Sequence, residues 1–331
     1  MSHTTQAYRV HQDDEGKISS RFDEMVLESP AEGEVLVKVA YSSVNYKDAL
    51  ACTGAGKIVR GFPRVAGIDL SGTVIESADP RYTAGDEVVL TGYSHGESLD
   101  GGYTQLARVS ADYLVPLPAG ISLLEAMSLG TAGFTAALSV HRLQQIGVEP
   151  GGAPILVTGA TGGVGSIAID LLARQGYEVA AFTGKVDQTD YLKSLGASQI
   201  VNRHELELGS RPLEKGLWGG AVDTVGDETL AWLTRTVNPW GAIASCGLAG
   251  GIKLNTTVMP FIIRGVTLLG IDSVLCPMDI RQQIWQRLAT DLKPGHLDAI
   301  ASAVEFDQLP GQFEQFLNGT IKGRVVVKVS S

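Results

Sequence analysis

Only three cysteines stand in the 331 residues, Cys52, Cys246 and Cys276, far apart and odd in number. That excludes a disulfide framework and a four-cysteine zinc site, and leaves reduced, buried thiols as the expected state. Unbroken apolar runs are lacking too. None approaches the roughly 18 to 20 residues that cross a bilayer, and the start Met1-Ser2-His3-Thr4-Thr5 has no basic stretch followed by an apolar core. A cytoplasmic protein is expected. Positive charge is short as well, with 26 Lys and Arg against 36 Asp and Glu and a net charge of −10. Nucleic acid and anionic membrane both demand a basic surface, so neither is an expected partner.

What is abundant is glycine, 40 residues in a chain that is 44% hydrophobic, a balance that suits an α/β protein with many tight turns. The length allows two domains, each with its own core. The stretch that organises the rest is Ile155-Leu156-Val157-Thr158-Gly159-Ala160-Thr161-Gly162-Gly163-Val164-Gly165. It is an apolar run that breaks into glycines and resumes with helical spacing, Val164, Ile167, Ala168, Leu171 and Leu172 falling on one face. Such a strand, turn and helix start lets backbone approach a diphosphate and presents unpaired N–H groups to it. The spacing is Gly159-x-x-Gly162-x-x-Gly165 rather than G-x-G-x-x-G. Taken alone it fits either a dinucleotide site or a structural glycine turn.

Residues 10–118 read as short strands and turns: 34–39 alternate, with Val35, Val37 and Val39 on one side, and 87–90 and 103–109 are similar. This predicts a curled β domain. At Ser122-Leu123-Leu124-Glu125 a capping box opens helical sequence, with a longer helix over 130–146, and the domain boundary is placed here. Beyond 155 strands alternate with helices: strands over 178–182, 199–201, 221–224, 242–246 and 265–271, helices over 189–195 and 227–237. That alternation implies a parallel sheet covered on both faces. A helix over 277–292 and a last strand over 323–329, returning to the first domain, complete the chain.

A β-rich first half carrying Gly67-Ile68-Asp69-Leu70-Ser71-Gly72 and Ala84-Gly85-Asp86-Glu87-Val88, followed by such a nucleotide domain, resembles the medium-chain dehydrogenase/reductase superfamily over essentially the whole chain. Residues 44–50, 54–60, 222–226 and 257–262 are similar to its branch of bacterial acrylyl-CoA reductases, first described as quinone oxidoreductases. The resemblance implies an α/β protein with a GroES-like catalytic domain (1–123 and 273–331) and a Rossmann-fold domain with a six-stranded parallel sheet (124–272). Zinc members of the superfamily place a cysteine ligand where Asn45 stands and a His-Glu pair where this chain has Ile68-Asp69. The lobe that would hold a structural zinc, near 93–102, contains no cysteine, and none of the six histidines shows metal-ligand spacing, so no metal is expected.

The second nucleotide-domain strand ends Phe182-Thr183-Gly184-Lys185, without the acid that binds ribose hydroxyls in NAD-specific sheets. Thr183, Lys185 and, after the third strand, Arg203 favour NADPH, the alternative being that both cations are plain solvated charges. By resemblance, Tyr46, Thr161, Gly162, Gly163, Val164, Leu248, Ile262, Ser273 and Asn318 also line the cofactor, with core packing the competing role for Leu248 and Ile262. Hydride then goes directly to an electrophilic carbon. Asn45 and Tyr46, on the segment that bears a zinc ligand in metal-dependent relatives, are the candidates for the carbonyl oxygen where negative charge develops. Asp48 reads as a helix cap, with a partner that orients Tyr46 or Lys47 as the alternative. Lys57, Arg60 and Arg324 are candidate cations for a CoA tail. The implied reaction is NADPH-dependent reduction of acrylyl-CoA to propionyl-CoA. The alternatives are an NADPH reductase of quinones or enones, and an NADPH-binding structural or sensor protein. Residues 266–271 are apolar enough to need an edge partner, so a homodimer is expected.

Overall fold

In the computed structural model, which describes residues 2–330, the alternating valines and glycine turns of the first half build two sheets. The smaller joins β1 (Ser2–Gln12), β2 (Ile18–Glu28) and β4 (Arg64–Val65) in the order β2-β1-β4. The larger is built on β3 (Glu34–Val44), which pairs antiparallel with β5 (Asp69–Ser77) and β7 (Leu106–Ser110), and continues through β6 (Glu87–Thr91) to β8 (Val115–Pro116). Val35, Val37 and Val39 are buried as expected, but so is Leu36 between them. β3 is therefore covered on both faces. A short helix, α1 (Tyr46–Thr53), leaves its end.

The capping box at Ser122 is present: Ser122 N–H donates to the Glu125 carboxylate (2.7 Å) and Glu125 N–H to Ser122 Oγ (3.2 Å). It opens α2 (Leu123–Gln145), whose two helical segments meet, as expected, at Gly130, where φ is +51° and ψ −155° and the backbone is not helical. A Cβ at Gly130 would meet Arg324 Nη2, Asp69 Oδ2 and Ser43 Oγ, so this position demands glycine for both conformation and space. The kink releases Thr131 N–H from the helix, and Asp69 Oδ2 accepts it at 2.9 Å. One 18-residue window of α2 has a mean hydropathy of 1.3, but 78% of it is buried inside the protein, as in a core helix, and polar residues break every apolar run in it.

The chain divides into two units, the first ending at Thr131 rather than near 123. The second holds β9 (Ile155–Thr158), α3 (Gly163–Arg174), β10 (Val179–Thr183), α4 (Thr189–Ser194), β11 (Gln199–Asn202), β12 (Trp218–Asp223), α5 (Asp227–Thr236), β13 (Val237–Ser245), α6 (Met259–Arg264) and β14 (Thr267–Gly270). Its six strands run in the order β11-β10-β9-β12-β13-β14, every neighbour parallel. Chain order reverses between β9 and β12, the switch point at which such sheets hold ligands beyond their strand ends. All four residues of β9 are buried, as in a sheet sandwiched between helix layers.

After the sheet the chain returns to the first unit through α7 (Met278–Ala289), but Thr290–Ile300, including α8 (Leu297–Ile300), belongs to the second. Buried Asp170 of α3 explains this. It accepts Gly295 N–H and His296 N–H, each at 2.9 Å, and pairs with His296 Nδ1 at 2.9 Å. β15 (Ala301–Glu305), α9 (Pro310–Leu317) and β16 (Arg324–Lys328) finish the first unit, β16 lying antiparallel to the end of β3 with Val325 opposite Val44.

Candidate cofactor and active site

The glycine turn stands between β9 and α3. Gly159 has φ +58°, and Gly162 caps α3 with no side chain of its own. A Cβ on Gly165 would strike the Gly159 carbonyl and the Ala160 backbone, so the helix can start against the turn only with glycine there. Thr161 is buried, while Gly162, Gly163 and Val164 are partly open. Beside them Thr158 Oγ1 donates to Asp223 (2.7 Å) and accepts Thr224 N–H (2.9 Å), while Asp223 accepts Gly226 N–H (2.9 Å). Burial raises the Asp223 carboxyl against those donated bonds. This bracing fixes the strand ends around the N-terminus of α3, which no side chain caps, an arrangement suited to a diphosphate.

At the end of β10, Thr183 is buried and its Oγ1 accepts Lys185 N–H (3.0 Å), while its carbonyl accepts Arg203 N–H (2.9 Å). The structure thus brings Thr183, Gly184, Lys185 and Arg203 together. It adds His204, whose Nε2 and the Arg203 Nε are the nearest atoms to the space over Gly184. His204 was missed; its adjacency to Arg203 after the third strand was the available signal.

In the first unit Asn45 sits at the N-cap of α1, where its carboxamide is fully engaged. Nδ2 donates to Asp48 Oδ2 (3.2 Å) and Asp69 Oδ2 (2.9 Å), and Oδ1 accepts from Arg324 Nη1 (3.0 Å). Arg324 is 2% exposed. It also donates to Ser43 Oγ (2.7 Å), which in turn donates to Asp69 (2.6 Å), and it lies 3.8 Å from the Asp69 carboxylate. Asp48 accepts Asn45 N–H (2.9 Å) and Ile68 N–H (3.0 Å). Burial first, and then neighbouring Asp69, push the Asp48 carboxyl up to about 7, against those donated hydrogen bonds. Two expectations are corrected. Both amide hydrogens of Asn45 are committed to carboxylates, so it is not a free donor for a substrate oxygen. Arg324 is an internal cation among Asn45, Ser43 and Asp69, not a surface contact for a CoA tail.

The family model for the alcohol dehydrogenase GroES-like domain matches residues 31–119, and that for the zinc-binding dehydrogenase matches residues 163–290. Acrylyl-CoA reductase AcuI of Ruegeria pomeroyi is 49% identical over 324 residues, covering 97% of this chain and 98% of its own. The chain belongs to the medium-chain dehydrogenase/reductase superfamily. Among solved structures, the YhdH oxidoreductase of Salmonella enterica in complex with NADP is 48% identical, with a TM-score of 0.94 over 98% of this chain and 100% of that one. Bacillus subtilis YhfP with NAD bound is 47% identical, with a TM-score of 0.94 over 98% of this chain and 99% of that one.

Although one of the two models carries zinc in its description, this member of the superfamily does not fit a catalytic zinc at the equivalent positions. Asn45 gives its oxygen to Arg324 and its amide to Asp48 and Asp69, Asp69 is itself taken by Ser43, Thr131 and Arg324, and Ile68 contributes only a backbone N–H, already given to Asp48. Among the described residues no three His, Cys, Asp or Glu side chains are grouped to hold a metal ion.

The remaining expected residues are scattered over both units. The Tyr46 ring, first in α1, is 52% exposed. Leu248 is 65% and Ile262 74% exposed, so core packing is not their role. Ser273 is half-buried, and Asn318, at the C-cap of α9, is exposed. Lys57 and Arg60 are exposed on the loop after α1. That loop is fastened to the segment near Glu97, which accepts Lys47 Nζ on its carboxylate (2.8 Å) and Arg60 N–H on its carbonyl (2.9 Å).

Proposed function

We propose that this protein catalyses the NADPH-dependent reduction of the activated C=C bond of acrylyl-CoA to give propionyl-CoA. The observation that carries the reading is the 49% identity to an acrylyl-CoA reductase over nearly the full length of both chains. The site chemistry agrees with it. Gly162, Gly163, Val164 and the buried Thr161 would hold the cofactor diphosphate at the start of α3. Thr183, Lys185 and Arg203 would take the 2′-phosphate at a strand end that carries no acid. When bound, the cofactor supplies the hydride that the β carbon of the enoyl thioester accepts.

The chain's own residues then orient the acceptor. With Asn45 engaged, the Tyr46 hydroxyl is the remaining side-chain donor on this segment for the thioester carbonyl oxygen, where negative charge gathers as hydride arrives. Asn45 serves by fixing the start of α1. Exposed Lys57 and Arg60 are the cations for the CoA phosphates, and exposed Leu248 and Ile262, with Ser273 and Asn318, serve the cofactor. The homodimer also belongs to this reading: β14 ends its sheet, and the exposed Ile263 of the preceding helix needs cover. So does action in the cytoplasm, where the three free cysteines stay reduced.

Steady-state oxidation of NADPH with acrylyl-CoA, a free enone and a benzoquinone side by side, with NADH as control, tests the proposal. A kcat/KM for acrylyl-CoA at least a hundredfold above the others is expected, about 2.7 kcal/mol of differential transition-state binding. Equal or faster quinone reduction would make this a general NADPH reductase. Stoichiometric NADPH binding without turnover of any activated alkene would make it a binding protein.

A further inference from the structure

Gly184 closes β10 with no side chain, and the space beside it is filled from the turn after β11. Arg203 Nε and His204 Nε2 both lie over this backbone unit. The turn that delivers them is built by Asn202, whose Oδ1 accepts His204 N–H (3.0 Å) and whose Nδ2 donates to the Glu205 carboxylate (2.7 Å). This is an Asx-type turn, which sets the direction of the residues that follow it. Arg203 N–H, bonded to the Thr183 carbonyl at 2.9 Å, ties the same turn to β10. Two side chains from consecutive residues are thus aimed at one strand end, and both residues are exposed. The charged groups on the elements that meet here are Lys185 and Asp187 after β10, Asp190 at the start of α4, and Arg203 and Glu205 on the turn itself.

We propose that His204 is a specificity-determining residue for the 2′-phosphate of the adenosine ribose, acting with Arg203 and Lys185 in the preference for NADPH over NADH. The proposal rests on the NADPH reading above. It matters because structures of similar proteins hold NADP in one case and NAD in another. An imidazole ring nitrogen beside the Arg203 guanidinium adds a second directional partner for the phosphate oxygens, and a nucleotide without the 2′-phosphate gains nothing from it.

The probes are adenosine 2′,5′-bisphosphate and AMP, titrated by calorimetry into the full-length protein and into His204→Ala. The side chain is exposed, and thermal melting checks that the variant is folded. The bisphosphate-to-AMP preference of the wild type should exceed that of the variant by about threefold to fivefold, the scale of a solvent-exposed polar pair. Equal preferences in the two proteins overturn the role of His204 and leave the NADPH reading standing. A wild type that binds both nucleotides equally overturns the NADPH reading itself.

Discussion

Two helix N-termini in this chain are built in opposite ways. At α1 the capping residue is Asn45, and the space around it is filled by the protein: Asp48 returns to its N–H, Asp69 takes its amide, and the buried Arg324 guanidinium bonds its oxygen. At α3 the capping residue is Gly162, and the neighbouring positions are Gly163 and Gly165. The field of a helix N-terminus is the same in kind at both. What differs is who answers it. Side chains close the first, so it can only position what is attached to it, namely Tyr46. Glycines keep the second clear, so an anion from outside can be received there.

The closed terminus should be the more fragile. Arg324→Met removes the one cation from a buried group that retains Asp69 and Asp48, and stranding buried carboxylates costs about 3 to 5 kcal/mol. Urea unfolding would show this as a large drop in the midpoint; a loss below about 1 kcal/mol would mean that water enters and the terminus is not closed. The next effect is a pH dependence. The Asp48 carboxyl is pushed up to about 7 in the folded protein, above the roughly 3.9 of an unfolded chain. Between those values the folded state binds more protons than the unfolded one, so stability should fall as pH rises from about 4 to about 7 and level off beyond. In Asp48→Asn that fall should be much reduced. Unfolding measured across the window would contradict the assignment if wild type and variant ran parallel.

The contrast between the termini was only half legible in the sequence. Elements whose signal is local could be read: the glycines and apolar period around 155–172, the Ser122-Glu125 box, the missing acid after Phe182. Arg324 could not, because Gly323-Arg324 at the head of a strand looks like any surface cation. Its burial comes from β16 pairing with β3, which sets Val325 opposite Val44 across nearly the whole chain. Asn45 was misjudged for the same reason, its partners Asp69 and Arg324 being distant in sequence. Gly130 is likewise explained by what packs against it, since Asp69, Ser43 and Arg324 converge on the space a side chain would take. The allocation of Thr290–Ile300 follows from Asp170, an acid inside an apolar helix whose partners lie over a hundred residues away.

The comparison can be sharpened by making the open terminus resemble the closed one. Gly162 has φ −80° and ψ 174°, an extended conformation that any L-residue adopts, and a Cβ there meets only the Gly159 carbonyl at 3.3 Å. Gly162→Asp therefore fits with a shift of a few tenths of an ångström. Its carboxylate would cap the amides of Val164 or Gly165, as Asp and Asn do at helix starts, leaving stability unchanged or raised by about 0.3 kcal/mol. The same carboxylate occupies the donors and places a negative charge where the diphosphate would sit. NADPH binding, followed by the change in its fluorescence, should weaken about thirtyfold or more, roughly 2 kcal/mol. Loss of binding with stability preserved separates a ligand site from a structural turn, because a turn that served only the fold would gain from the cap and lose nothing.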